Sequence, residues 1–124
     1  MKTIDLQATS DTPRIYFNPG EGSFEMRGRS MPEDVYEVYD PILTALRKYF
    51  ENPLEETEFI FNVDFMNTAT TKVMHEFFQL LKDKKEKGLK IVVMWYYQFD
   101  DDDIQELGEY FENEYKLGMD VIEC

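Results

Sequence analysis

The segment Asn67-Thr68-Ala69-Thr70-Thr71-Lys72 gathers three hydroxyls and a cation where an alternating apolar run gives way to a helical pattern. Side chains at a helix start have two chemical uses. They can accept hydrogen bonds from free backbone N–H groups, and Asn67, Thr68 or Thr70 would cap well, contributing about 1 kcal/mol. A hydroxyl there also suits phosphorylation. The added charge, about −1.5 to −2 near neutral pH, would face free N–H groups and the positive end of the helix dipole, with Lys72 close by. Residue types alone leave capping and modification both open, and leave open whether Thr68, Thr70 or Thr71 would carry the phosphate. Other chemistry is harder to assemble. His75 is the only histidine and lies on the flank of the stripe Val73, Met74, Phe77, Phe78 and Leu81, so it reads as a boundary residue. No Ser/His/Asp or Cys/His set forms around it. Cys124 is the only cysteine and has no partner for a disulfide or a metal cluster.

Asp100-Asp101-Asp102-Asp103, with Asp64, could serve a small metal-assisted hydrolase. The four lack the spaced oxygen ligands and the glycine turn of a calcium loop. Acids at a helix N-terminus each stabilise the dipole by about 0.3–1 kcal/mol, and that is the preferred reading. Gly20-x-Gly22 belongs to a hairpin turn rather than a phosphate-binding loop. Trp95-Tyr96-Tyr97 and Phe99 read as core, with Tyr96 and Gln98 available to a partner on the second face. The expected site therefore holds no metal and no cofactor.

The elements that must position this segment follow from periodicity. Residues 1–12 make a lead-in strand or a loose arm. Ile15 and Phe17, then Phe24 and Met26, alternate with polar residues around Asn18-Pro19-Gly20-Glu21-Gly22, which predicts a β-hairpin. Ser30-Met31-Pro32-Glu33 has the form of a capping box leading into a helix with apolar positions Val35, Val38, Tyr39, Ile42, Leu43, Leu46, Tyr49 and Phe50. Asp40-Pro41 predicts a kink or a restart in it, and Asn52-Pro53 its end. Phe59, Phe61, Val63 and Phe65 alternate as the inward side of a strand. A second helix runs from Asn67–Thr71 to Gly88, with lysines in its last turns. Ile91 to Phe99 predicts a central strand covered at least in part on both faces. A third helix carries Ile104, Leu107, Gly108, Phe111 and Tyr115, and Met119 to Ile122 make a last strand. The order β-β-α-β-α-β-α-β predicts an α/β fold, a mixed sheet with helices mainly on one face, forming a single domain over residues 1–124.

Composition narrows the function class. The chain has 124 residues, with 26 acids against 13 Lys plus Arg, a net charge of −13. That balance argues against nucleic acid and against anionic membrane as partners. Apolar residues make up 43% of the chain and aromatics 15%, enough for a packed core. The longest apolar run, Ile91 to Tyr97, falls far short of the ~20 residues that span a bilayer. A cytoplasmic, acidic protein is expected.

Several fragments, in order, resemble the SiaC family of bacterial regulatory phosphoproteins, which have a STAS-like fold. They are Asp11-Thr12-Pro13, Gly28-Arg29-Ser30-Met31-Pro32-Glu33, Tyr39-Asp40-Pro41, Phe65-Met66-Asn67-Thr68 with Lys72, Trp95-Tyr96-Tyr97 with the acids after it, and Gly108-Glu109. The family's phosphoacceptor threonine maps onto Thr68. Its Asn-Thr-Ser-Ser-x-Lys segment departs here to Ala69 and Thr70, so Thr70 stays an alternative acceptor. The resemblance implies a non-enzymatic partner switch in signal transduction. A Ser/Thr protein kinase modifies it and a PP2C-type phosphatase reverses the modification. The unmodified form binds and activates a diguanylate cyclase, raising cyclic-di-GMP and favouring biofilm. In that role Asn67, Thr70 and Thr71 shape the loop, Lys72 helps neutralise the phosphate, and the second helix with its loop forms the partner face. A constitutive STAS-like scaffold without phosphorylation is the other binding-module reading.

Overall fold

The computed structural model describes residues 1–124. Six strands form one sheet in the order β1 (Ile4–Leu6), β2 (Arg14–Asn18), β3 (Ser23–Ser30), β4 (Glu56–Met66), β5 (Lys90–Tyr97), β6 (Asp120–Glu123). The first three pair antiparallel and β3 through β6 pair parallel. Helices α1 (Val35–Tyr49), α2 (Thr68–Glu86) and α3 (Asp102–Tyr115) fill the three parallel crossovers. Crossovers of one hand that advance in one direction must lie on one side of the sheet. The inward rows meet them there. Phe77 of α2 packs on Phe24, Phe59 and Phe61, and Phe111 of α3 packs on Trp95. Of the two readings of the lead-in segment, the strand holds: Ile4–Leu6 pair with Ile15–Phe17 as a short edge.

The hairpin between β2 and β3 closes over residues 19–22. Gly22 is required there. Its φ is +65°, and a Cβ would lie 2.7 Å from the carbonyl oxygen of Glu56. The other face of the sheet is open. It is polar over β1–β3, where Arg14 pairs with Asp5 and Glu25 and Arg27 with Glu25, and more apolar over β4–β6. Covering of β5 is thus complete on one face only: Ile91, Val93 and Trp95 are buried, while Val92, Met94 and Tyr96 are half-buried.

Four local expectations are corrected. Phe99, read as core at the end of a strand from Ile91, lies beyond β5, which stops at Tyr97, and is 72% exposed. Ser30 does not cap α1. It stays in β3, fully buried, and Asp34 is the cap, its carboxylate accepting from the N–H of Tyr36 at 3.2 Å and of Glu37 at 3.3 Å. Ser30 lies four residues before that cap, and its hydroxyl is turned to those of Tyr39 and Thr70 rather than to the free N–H groups of α1. Helix α1 runs unbroken through Pro41, which is exposed. The carbonyl it leaves unpaired, that of Glu37, belongs to an exposed residue that water can reach. In β4 the alternation slips: the register passes from Gly28–Val63 to Arg29–Phe65, leaving Asp64 as an extra residue. Such a bulge re-aims the side chains beyond it. Met66 is buried and Phe65, expected inside, is 47% exposed.

The remaining starts behave as the sequence suggests. Asn67 caps α2 and Asp101 caps α3, whose first turn carries Asp102 and Asp103. Gly88 follows α2 with φ +93°. No helix is long and apolar enough to cross a membrane.

Candidate phosphoacceptor site

Because β3 and β4 are parallel, their C-terminal ends reach the same edge of the sheet, and the segment 67–72 leaves from it. Asn67 is fixed twice. Its N–H donates to the Ser30 carbonyl at 2.9 Å, and its Oδ1 accepts from the N–H of Thr70 at 2.8 Å. The capping role therefore falls to Asn67 and leaves the threonines free for other work.

The three threonines are in different environments. Thr70 is fully buried, and its hydroxyl lies 2.9 Å from the Ser30 Oγ and 3.3 Å from the Ser30 carbonyl oxygen. A kinase cannot reach it without unfolding the helix start. Thr71 is half-buried and donates its hydroxyl back to the Asn67 carbonyl at 3.1 Å. Thr68, the first residue of α2, is exposed, and its hydroxyl has no partner in the protein. The backbone N–H groups of Thr68 and Ala69 are also unpaired, as the first turn of a helix leaves them. Lys72 is exposed, forms no ion pair and sits four residues on, the spacing that shares a helix face. Of the three candidates, only Thr68 combines a reachable hydroxyl with donors and a cation beside it.

Sequence reasoning missed what holds this loop in place. Ser30 Oγ lies 2.6 Å from the Tyr39 hydroxyl as well as 2.9 Å from Thr70, so one buried serine ties β3, α1 and α2 together. The signal available was a small polar residue on the inward alternation of β3, which the capping-box pattern masked. Burial pushes the Tyr39 hydroxyl up to about 12, against a lowering by its bond to Ser30. The folded-state value lies above the unfolded value of about 10, so the phenol keeps its proton in the native state after unfolded chains have lost theirs. Its contribution is fully present below pH 10 and lost as the pH rises towards 12. Between those values the wild type should lose about 2–3 kcal/mol of stability that Tyr39→Phe does not lose. Urea unfolding of both proteins across pH 9–12 checks this. Parallel curves would show that Tyr39 is solvated.

The other candidates have structural roles. His75 joins α2 to α3, with Nδ1 2.6 Å from the Tyr115 hydroxyl and Nε2 3.3 Å from that of Tyr110. Both ring nitrogens are held by phenol hydroxyls, which makes the imidazole a bridge between the two helices. Asp64 lies in the β4 bulge and Asp101 accepts from the Ile104 N–H at 3.2 Å. No three His, Cys, Asp or Glu side chains converge as metal ligands, so the hydrolase reading has no assembled site. None of the surface clefts is lined by a residue of the segment 67–72. The site is the exposed first turn of a helix at the edge of the sheet, suited to macromolecules rather than to enclosing a small substrate.

Comparison with known proteins gives a family and a fold. The family model described as "SiaC family regulatory phosphoprotein" matches residues 6–124. An uncharacterized protein of Pseudomonas aeruginosa (strain UCBPP-PA14) is 24% identical over 114 residues, covering 92% of this chain and 90% of that one. Apo-SiaC from Pseudomonas aeruginosa superposes with a TM-score of 0.91 at 23% identity, over 98% of this chain and 99% of the other. SiaC from Pseudomonas aeruginosa in complex with the diguanylate cyclase SiaD, whose activator it is, superposes with a TM-score of 0.93 at 21% identity, over 98% and 99% of the two chains.

Proposed function

The chain belongs to the SiaC family of regulatory phosphoproteins, and on that premise we propose that it is a partner switch whose state is set at Thr68. The unmodified form binds and activates a diguanylate cyclase. A Ser/Thr protein kinase modifies Thr68, a PP2C-type phosphatase restores it, and the phosphorylated form releases the cyclase. The observation that carries this reading is the contrast among the threonines: Thr68 is exposed and unbonded while Thr70 is buried and doubly bonded. The cyclase as partner is supported by the SiaC relative seen bound to SiaD, with nearly the same fold.

The chain's own groups suffice for the switch. Asn67 holds the loop, Thr70 and Thr71 are tied down beneath it, and Lys72 with two free N–H groups can neutralise a phosphate without refolding. The test is reconstitution. The host's diguanylate cyclase should make cyclic-di-GMP faster with the unmodified chain than alone. Phosphopeptide mapping of the chain from its host should place one phosphatase-sensitive phosphate on Thr68. Activation without any phosphate under several growth conditions would leave a constitutive scaffold. A phosphate on Thr70 alone would overturn the assignment of the site.

A further inference from the structure

We propose that Phe65 and Arg29 anchor the partner, so that the surface beside Thr68 docks a protein offering an apolar pocket edged by carboxylates. The proposal rests on the partner-switch reading and adds to it the surface used and the chemistry it selects. The bulge at Asp64 is the first observation. Without the extra residue, strict alternation would turn Phe65 inward after Phe61 and Val63. With it, Phe65 is 47% exposed, and its register partner across the ladder is Arg29. Ser30 and Met66, the next pair along, are both buried, so Arg29 and Phe65 point together to the open side. Met31 follows Ser30 at the same edge, where Asn67 and Thr68 follow Met66, and it is 41% exposed. Two large apolar side chains thus stand exposed around the acceptor loop.

Charge supplies the second observation. The chain carries −13 overall, yet Phe65 has the guanidinium of Arg29 across the ladder, and Lys72 follows Thr68 by one turn of α2. Neither is in an ion pair, whereas Arg14 and Arg27 on the same sheet are held by Asp5 and Glu25. Two acids stand at this edge, Asp64 in the bulge and Asp11, whose carbonyl accepts from the Met31 N–H at 2.8 Å, and neither pairs with Arg29. An exposed aromatic with an unpaired guanidinium across the ladder complements an apolar pocket with an acidic rim. The sign of the switch follows. A phosphate on Thr68 confronts the partner's carboxylates and draws Arg29 and Lys72 to itself.

The test places the photo-crosslinking residue p-benzoylphenylalanine at position 65 in the full chain, in the native host. A control carries it at Leu54, 43% exposed in the loop that leads into the opposite end of β4. An adduct from position 65 is expected, mapping to a partner segment with apolar residues and Asp or Glu. Its yield should fall at least tenfold with Arg29→Glu or Thr68→Glu, and position 54 should give none. In direct binding to the captured partner, Phe65→Ala should weaken affinity about thirtyfold. The proposal is overturned by no adduct at 65, by equal adducts from 54, by indifference to Arg29→Glu, or by mapping onto a basic segment. The two readings fail separately. A non-cyclase partner captured at 65 keeps the docking surface and removes the cyclase, while a cyclase captured from 54 does the reverse.

Discussion

Phosphorylation of Thr68 is expected to lower affinity for the cyclase at least a hundredfold while leaving the melting temperature of the free chain unchanged or raised. The two halves of this prediction come from the same geometry. In the free chain the phosphate, with a charge of about −1.5 to −2, sits at the start of α2 beside the unpaired N–H groups of Thr68 and Ala69 and the ammonium of Lys72. An anion at a helix N-terminus contributes about 0.3–1 kcal/mol in favour of the fold. In the proposed complex the same group would be withdrawn from water and set against the partner's carboxylates. Leaving a buried charge unpaired costs about 3–5 kcal/mol, and each 1.4 kcal/mol is tenfold in affinity. Calorimetric titration of cyclase with unmodified and stoichiometrically phosphorylated chain measures the first half, and thermal unfolding of the two forms measures the second. Thr70→Val, which removes the buried hydroxyl and not the exposed one, should be phosphorylated to the same stoichiometry as wild type. Equal affinities of the two forms would sink the switch. A large loss of melting temperature on phosphorylation would mean that the loop is refolded rather than masked.

The sheet and the place of Thr68 were legible in the sequence for a simple reason: they depend on periodicity and punctuation. Phe59, Phe61 and Val63 alternate because one face of β4 is buried, and the stripes of α2 and α3 repeat at helical spacing because one side of each helix is buried. Asn67 reads as a cap from its type alone. What the sequence hid depends on long-range register. Phe65 looks like the next inward residue of β4, and only pairing with β3 reveals that Asp64 has displaced it. Gly28, inside β3 with φ +102°, was the available hint of irregular pairing. Ser30 looks like a cap because Glu33 follows at the right spacing, yet the strand carries Ser30 inward before α1 begins at Val35. Residue types alone leave the choice among Thr68, Thr70 and Thr71 open, with the family resemblance pointing to Thr68; what separates them physically is exposure. It turns on Ser30 lying under Thr70 across 40 positions of sequence, a contact no local pattern encodes.

These hidden features share one location. Ser30 fixes the floor of the acceptor loop through Thr70, and the bulge one pair away turns Phe65 out to the surface. The strand ends of β3 and β4 therefore hold a buried hydroxyl contact inside and present Phe65 and Arg29 outside. Rigid positioning of a short loop is what a modifying enzyme and a docking partner both require if they are to compete for one threonine.

Gly108→Ala should destabilise the fold by about 1–3 kcal/mol, against the direction that helix propensity predicts. Gly108 lies within α3, where alanine would ordinarily gain about 1 kcal/mol over glycine. Here a Cβ would stand 2.4 Å from Cδ1 and 2.7 Å from Nε1 of Trp95, closer than atoms can approach. The indole cannot yield. It is fully buried, its ring lies 5.7 Å from Phe61 and 5.8 Å from Phe111, and its N–H donates to the Ile104 carbonyl at 2.9 Å. Relief must come from lifting α3 off β5, which stretches that hydrogen bond and opens space beside Phe78 and Phe111. Overpacking of a filled core costs about 1–3 kcal/mol, and loss of the indole bond adds about 1 kcal/mol, so the balance falls against alanine. Urea unfolding should show a lower midpoint for Gly108→Ala and an unfolding free energy within about 0.5 kcal/mol of wild type for Glu109→Ala, whose side chain is exposed on the same helix. Equal or greater stability of Gly108→Ala would mean that α3 has slack against Trp95. The Gly108-Glu109 fragment would then need another explanation than the close approach of a helix backbone to an indole.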